Sequence, residues 1–305
     1  MSNAVTYYEQ WGPVSRRVRR AGHIVRFVAK TSLGLRPSLL VELRWRLGDE
    51  IMALPVFEAL RAKWPAARIE VLSNYPDLFV DNPFVNAVNP IAPSPDAYYL
   101  LRGAPREVAR LEHYARGAEV QTPVTRPQLY YRDWHSPLLD ELPRGDGPVV
   151  AIAPGASWAP KRWATESWRA LARELETGGC RVFEVCGTGE AVGIATSFAG
   201  RTSVREAAVL MHAAQMVIAS DSGLMHLARA AGTPVVALFG PTDPALLVGD
   251  DEGVQRAMNG RTCSGCWNTG RMRDPGMCPI GESDCLGTIR VEEVAGRVWA
   301  TLGRG

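Results

Sequence analysis

The stretch Ser220-Asp221-Ser222-Gly223-Leu224-Met225-His226-Leu227-Ala228, with its continuation Gly232-Thr233-Pro234-Val235-Val236-Ala237-Leu238-Phe239-Gly240-Pro241-Thr242-Asp243-Pro244, decides the fold. Met216 to Ala219 is an apolar run of strand length, and Asp221-Ser222-Gly223 stops it. Leu224 to Ala231 has helical character, and Gly232 stands where a helix C-terminal glycine belongs. Val235 to Phe239 reads as a second buried strand, ended by Gly240-Pro241. Two apolar strands joined by a short helix make a βαβ crossover in a parallel sheet. Ligands of such sheets bind at the carboxyl ends of the strands, where free N–H groups at a helix start attract phosphate. Asp221, Ser222, Gly223 and His226 are therefore expected at a mouth. Taken alone, His226 equally fits a satisfied core histidine, and Asp221 a helix cap.

The alternation extends in both directions. Val149 to Ala153, Arg181 to Cys186 and the two strands above read as strands of one domain. Helices over Thr165 to Glu176 and Ser203 to Ala214 lie between them, and Ser203 with Glu206 fits a capping box. Earlier in the chain, Ser38 to Leu43, Arg68 to Ser73, Val85 to Asn89 and Ala97 to Leu101 read as strands. Ile51 to Trp64 reads as one helix, and Arg106 to Arg116 as another. The expected organisation is a basic extension (1–37), an N-terminal Rossmann-like domain (38–145), a C-terminal one (146–289) and a final helix (290–305). Arg144-Gly145-Asp146-Gly147 is the expected linker, and 245–288 reads as irregular. Two such runs predict two doubly wound α/β domains, with a ligand site in the cleft between them.

Composition narrows the classes. The net charge of +2 over 305 residues argues against a general nucleic-acid binder. The charge is uneven: Arg16, Arg17, Arg19, Arg20, Arg26, Lys30 and Arg36 face Glu9 alone in residues 1–40. Val14, Val18, Ile24, Val25, Phe27 and Val28 are interleaved with them, which predicts a basic amphipathic helix, either solvated and packed on the body or in contact with a membrane surface, an acidic partner or an oligomer; disorder is the remaining alternative. No apolar run approaches the roughly 20 residues of a membrane span, and no secretory signal is read. The expectation is a cytoplasmic protein, with the extension able to reach the inner face of the cytoplasmic membrane.

Three further places carry chemistry. Gly48-Asp49 follows the first strand, where a carboxylate caps a helix or serves as a general base for an acceptor hydroxyl. Gly155-Ala156-Ser157 with Lys161-Arg162 joins backbone amides, a hydroxyl and two cations, which suits a diphosphate; the alternative is surface charge. It lacks Walker A spacing, and Gly187-Thr188-Gly189 lacks the third glycine of a dinucleotide fingerprint. Cys263, Cys266, Cys278 and Cys285 fall in a glycine-rich segment without strand or helix pattern. Four thiolates suit tetrahedral zinc or iron, closed to substrate and so structural; disulfides or free thiols are the alternatives. Cys180 and Cys186 flank a strand and read as core.

Leu47-Gly48-Asp49-Glu50, Pro154-Gly155-Ala156-Ser157 through Lys161-Arg162-Trp163, Thr202 through Ala214, and Asp221 through Pro244 together resemble the heptosyltransferase-like glycosyltransferases, family 9. The resemblance implies the GT-B fold and an inverting transfer, without a catalytic metal, from a nucleotide sugar such as ADP-heptose to an acceptor glycan, glycolipid or protein. It implies Asp49 as base and Lys161 at the donor phosphates. It places Gly48, Gly155, Ser157, Arg162, Asp221, Ser222, Gly223, His226 and Thr242 around the donor. The cysteine quartet, with Tyr114-Ala115 and Pro127 to Tyr130, resembles the subgroup acting on autotransporters, in which it holds iron. Two other readings compete: a sugar-nucleotide enzyme of another class, such as an epimerase, and a non-catalytic binding or scaffold protein.

Overall fold

The computed structural model describes residues 25–303, apart from 92, 102, 123–124, 275–276, 279 and 282–284. It divides into two compact units. The first comprises Met1–Ala104, Arg110–Thr125 and Leu129–Tyr131; the second comprises Pro105–Ala109, Arg126–Gln128 and Arg132–Gly305. Most of the expected basic helix, residues 1–24, lies outside the described residues. Residues 25–32 are helical, with Phe27 buried edge-on to Trp64 at a centroid distance of 4.9 Å. Lys30 pairs with the buried Asp96 at 2.8 Å and Arg26 donates to the Pro95 carbonyl at 3.4 Å, while Val25, Val28, Leu33 and Leu35 are exposed. A buried carboxylate needs a counter-charge, which draws the cation inward. Among the described residues, no helix is long and apolar enough to cross a membrane.

In the first unit β1 (Ser38–Glu42), β2 (Arg68–Leu72), β3 (Ala87–Val88) and β4 (Ala97–Leu100) form a four-stranded parallel sheet in the order β3-β2-β1-β4. The helix expected over Ile51 to Trp64 is two helices, α1 (Leu47–Met52) and α2 (Leu54–Lys63). Pro55 explains the break: it has no N–H for the Ile51 carbonyl and its ring would strike that oxygen. The helical start at Leu47 places Asp49 inside the first turn of α1. A further helix, α3 (Arg110–Gly117), begins later than expected because 105–109 belong to the second unit.

The second unit holds β5 (Val149–Ala153), β6 (Arg181–Glu184), β7 (Met216–Ser220), β8 (Val235–Phe239) and β9 (Val254–Met258). All pair in parallel, in the order β6-β5-β7-β8-β9. Its helices are α4 (Thr165–Thr177), α5 (Val204–His212), α6 (Gly223–Ala230), α7 (Pro244–Val248) and α8 (Val291–Thr301). The capping box of α5 forms as expected, with Ser203 Oγ accepting from the Glu206 N–H at 3.1 Å and Glu206 Oε2 from the Ser203 N–H at 2.8 Å. Alternate strand residues Val150, Ile152, Met216, Ile218, Val236 and Leu238 share one core with Leu171 and Leu175 of α4 and Val294 and Val298 of α8. The C-terminal helix is thus part of this domain's core.

Strand β9 and helix α7 lie in the stretch expected to be irregular. Residues 132–145, expected to end the first domain, join the second unit. Arg181 donates to the Gly147 and Pro143 carbonyls at 2.7 and 2.9 Å, and Trp134 stacks on His212 at 4.0 Å. In both sheets the strand order reverses beside the first strand, between β1 and β4 and between β5 and β7. Such switch points open a crevice at the strand ends.

Candidate functional site

In the second unit the register sets Ala153 beside Ala219 and Ser220 beside Leu238, so the turns after β5, β7 and β8 leave the sheet together. From the first comes Lys161, on a short 3-10 turn over Ala159–Lys161. Its Nζ lies 2.5 Å from Asp221 Oδ2 and 4.4 Å from the centre of the Trp158 ring. From the third comes Thr242, whose hydroxyl donates to the same Asp221 oxygen at 2.5 Å. Burial pushes the Asp221 carboxyl up, but the Lys161 charge and hydrogen bond, with the Thr242 hydrogen bond, hold it below the usual carboxylate range.

Asp221 and His226 are buried, unlike the open mouth expected of them, because each is taken up by a protein partner. His226 Nδ1 lies 3.1 Å from Arg229 Nη1. Ser222 and Gly223 are half-buried at the start of α6. Ser222 is the N-cap residue, yet its side chain makes no capping bond. Its buried Oγ has no hydrogen-bond partner among the described residues. An N-cap hydroxyl ordinarily accepts from the helix's first turn. Here an unpaired hydroxyl and the first-turn amides stand together beside the Lys161–Asp221 pair.

The glycine loop differs in detail from the expectation. Ser157 and Arg162 are exposed, and Arg162 Nε donates to the Ala156 carbonyl at 2.8 Å. A Cβ at Gly155 would lie 2.2 Å from Glu190 Oε2, and that oxygen accepts from the Gly187 N–H at 3.0 Å. The close approach that glycine permits is therefore used by Glu190. Sequence reasoning passed over this residue, although the Gly187-Thr188-Gly189-Glu190 turn pointed to it.

At the switch point of the first unit, Asp49 Oδ1 accepts from the Tyr114 hydroxyl at 2.8 Å, with Arg110 Nε 3.9 Å away. Arg110 and Tyr114 are one turn apart on α3, so one helix face holds the carboxylate. Burial and the Asp49 charge push the Tyr114 phenol up, which keeps it a donor. Gly48 is half-buried beside Asp49. Neighbouring Glu50, part of the quoted motif but given no role there, is buried, and it accepts from the Trp45 and Asn74 N–H groups at 3.0 and 3.1 Å and from the Ser73 hydroxyl. It ties together the turns after β1 and β2 that flank Asp49.

None of the six cysteines is in a disulfide, and Cys180 and Cys186 are buried, as core residues should be. Burial pushes the thiols of Cys266 and Cys285 up, and the charges of the other quartet members add to it. Asn259 Nδ2 donates to Cys285 Sγ at 3.2 Å. Among the described residues, no group of three or more His, Cys, Asp or Glu is gathered closely enough to hold a metal ion. The segment braces the turn after β8. The Gly265 and Trp267 N–H groups donate to the Gly240 and Pro241 carbonyls at 2.9 and 2.8 Å, and Asn268 Oδ1 accepts from Asp243 N–H at 2.7 Å. Trp267 meets Trp158 edge-on at 4.7 Å, and the Arg106 guanidinium lies 3.6 Å from the centre of the Trp267 ring.

Two all-parallel, doubly wound units, each with polar groups at its own switch point, define a protein of the GT-B class. Residues 106–268 match Glycosyltransferase family 9 (heptosyltransferase), and the chain belongs to that family. It is 29% identical over 143 residues to lipopolysaccharide heptosyltransferase 2 of Salmonella typhimurium, an alignment covering 41% of each chain. It is 29% identical over 175 residues to the inactive autotransporter heptosyltransferase BimC of Burkholderia thailandensis, covering 52% of this chain and 41% of that one. The match thus spans about two fifths of the length of these curated relatives. The iron-containing dodecameric glycosyltransferase TibC from enterotoxigenic E. coli superposes with a TM-score of 0.70 at 22% identity, over 88% of this chain and 76% of that one. TibC has also been solved in complex with ADP-D-beta-D-heptose.

Proposed function

We propose that the chain transfers heptose, with inversion, from ADP-heptose to an acceptor hydroxyl on a glycan, glycolipid or protein. The observation that carries this reading is the Lys161–Asp221–Thr242 constellation beside the unpaired Ser222 hydroxyl, at the switch point of the second unit. The donor diphosphate is met by Lys161, Arg162, the loop Gly155 to Ser157 and the amides at Ser222-Gly223, and its sugar by Asp221 and His226. Asp221 holds the Lys161 ammonium at 2.5 Å, so the cation is in place before the ligand arrives. Asp49 takes the proton of the acceptor hydroxyl, and that oxygen attacks the anomeric carbon. The bond from that carbon to the diphosphate breaks, and ADP leaves with the electron pair. Tyr114 and Arg110 fix the carboxylate that accepts the proton.

A screen of nucleotide sugars for thermal stabilisation tests the reading. ADP-heptose at 100 times its Kd is expected to add about 2.7 kcal/mol of stability, since it binds the native state alone. A screen in which no nucleotide sugar raises the melting temperature defeats it. The similarity to inactive BimC favours one alternative, a nucleotide-sugar binder without transferase activity. That protein would be stabilised by ADP-heptose yet release no ADP in the presence of any acceptor.

The quartet Cys263, Cys266, Cys278 and Cys285 has the donor chemistry of a structural iron or zinc site, which the metal itself would complete by drawing the four thiols together. Its thiols feel one another's charge, and the Asn259 amide supports Cys285 as outer-shell donors support metal ligands. Bound there, the metal would supply cross-linking of the segment that braces the turn carrying Thr242. Elemental analysis of protein purified without chelator is expected to give about one iron or zinc per chain, lost on Cys263→Ser with Cys266→Ser. Metal-free wild-type protein would refute the assignment.

A further inference from the structure

The array behind His226 is more specific than donor binding demands. His226 and Arg229 lie one turn apart on α6, and both are buried. Arg229 Nε donates to Asp251 Oδ2 at 3.0 Å, and its Nη1 and Nη2 face the Leu247 and Val248 carbonyls at 3.5 and 3.4 Å. Arg126 donates to the Arg229 carbonyl at 3.2 Å and stands 3.9 Å from the same Asp251 oxygen. The guanidinium is therefore fixed from several sides. Its Nη1 lies 3.1 Å from His226 Nδ1. A guanidinium has five N–H donors and no acceptor, so this contact is a hydrogen bond only when Nδ1 carries a lone pair. The ring proton must then sit on Nε2. A second proton on Nδ1 would set N–H against N–H beside a full positive charge in a buried place.

We propose that Arg229 is a positioning residue that holds His226 as its neutral Nε2–H tautomer, so that the ring offers the nucleotide-sugar donor a hydrogen bond and not a cation. The role of the ring toward the donor rests on the function proposed above; the tautomer does not. Asp221, whose charge reaches His226, is paired with Lys161, and Asp251 with Arg229 and Arg126. The cationic part of diphosphate recognition then belongs to Lys161 and Arg162. His226 supplies direction and stays unchanged through the range in which an ordinary histidine titrates.

Nitrogen NMR of histidine-labelled full-length protein reads this directly, with the His226 signals assigned by their loss in His226→Gln. The expected spectrum shows Nδ1 unprotonated and Nε2 bearing hydrogen, at pH 7 and still at about pH 6, near the ordinary histidine midpoint. An Nδ1–H tautomer, or an imidazolium pattern at either pH, overturns the assignment. Folded Arg229→Met is expected to lose the fixed tautomer and to titrate across that range; if it does not fold, the wild-type spectrum decides alone. Addition of ADP separates the two claims. An Nε2–H pattern that does not respond to ADP overturns the donor-site reading and leaves the role of Arg229 standing.

Discussion

Replacement of Asp49 by asparagine is expected to lower kcat by about 10²–10⁴-fold, the usual worth of a general base, and to leave donor affinity unchanged. The substitution is nearly isosteric. The amide oxygen can still accept from the Tyr114 hydroxyl, now 2.8 Å from the carboxylate, so α1 and α3 stay joined. What disappears is the ability to take a proton from the acceptor. Initial rates of ADP release with acceptor, beside calorimetric titration with ADP, separate the two effects. Full turnover by the variant would remove Asp49 from the mechanism. Equal losses of rate and ADP affinity would mark it as a structural carboxylate instead.

The largest stability effect is expected at Lys161. Lys161→Ala leaves the buried Asp221 carboxylate with Thr242 but no counter-charge, a change that costs about 3–5 kcal/mol when a buried pair is broken from one side. Urea denaturation measures it. Adding Asp221→Asn to the variant is expected to recover most of the stability and none of the ADP affinity, because the stranded charge is gone but so is the cation. A double variant as unstable as the single one would refute this account. The pH dependence follows the same pair. The Asp221 carboxyl is held below its unfolded value, so the unfolded chain binds the proton more readily. Its contribution is complete above the ordinary aspartate range, near about pH 4, and is lost as pH falls through the folded value. In Lys161→Ala burial acts with less opposition, and the loss begins at higher pH.

The central βαβ unit was legible because its signals are local. Met216 to Ser220 and Val235 to Phe239 are fully buried runs, and Gly232 takes the positive φ of 87° that its place after α6 requires. Strand β9 was not, because only Val254 and Ala257 of its five residues are buried. An edge strand of this kind has too little apolar pattern to stand out from a loop. The break between α1 and α2 was written in Pro55, whose effect falls one turn upstream of the ring itself. The assignment of 132–145 was hidden because its partners, Arg181 and His212, are distant in sequence. Site residues were nameable one by one, but their pairing was not. That Lys161 meets Asp221 depends on the β5–β7 register, and that Tyr114 meets Asp49 on which strand neighbours β1.

The division of the chain also constrains how it can be made and cut. Residues 105–109 and 126–128 belong to the second unit, although first-unit residues follow each of them. Arg106 donates to the Met272 carbonyl at 2.7 Å, and Arg126 to that of Arg229 at 3.2 Å. A fragment starting at Arg132 would lack both arginines, and one ending at Ala104 would lack Arg110 and Tyr114. The two halves are therefore not interchangeable modules, despite their like architecture. A growing chain emerging from the ribosome cannot complete the first before Tyr131, and it must carry two short pieces of the second, waiting for partners more than a hundred residues away.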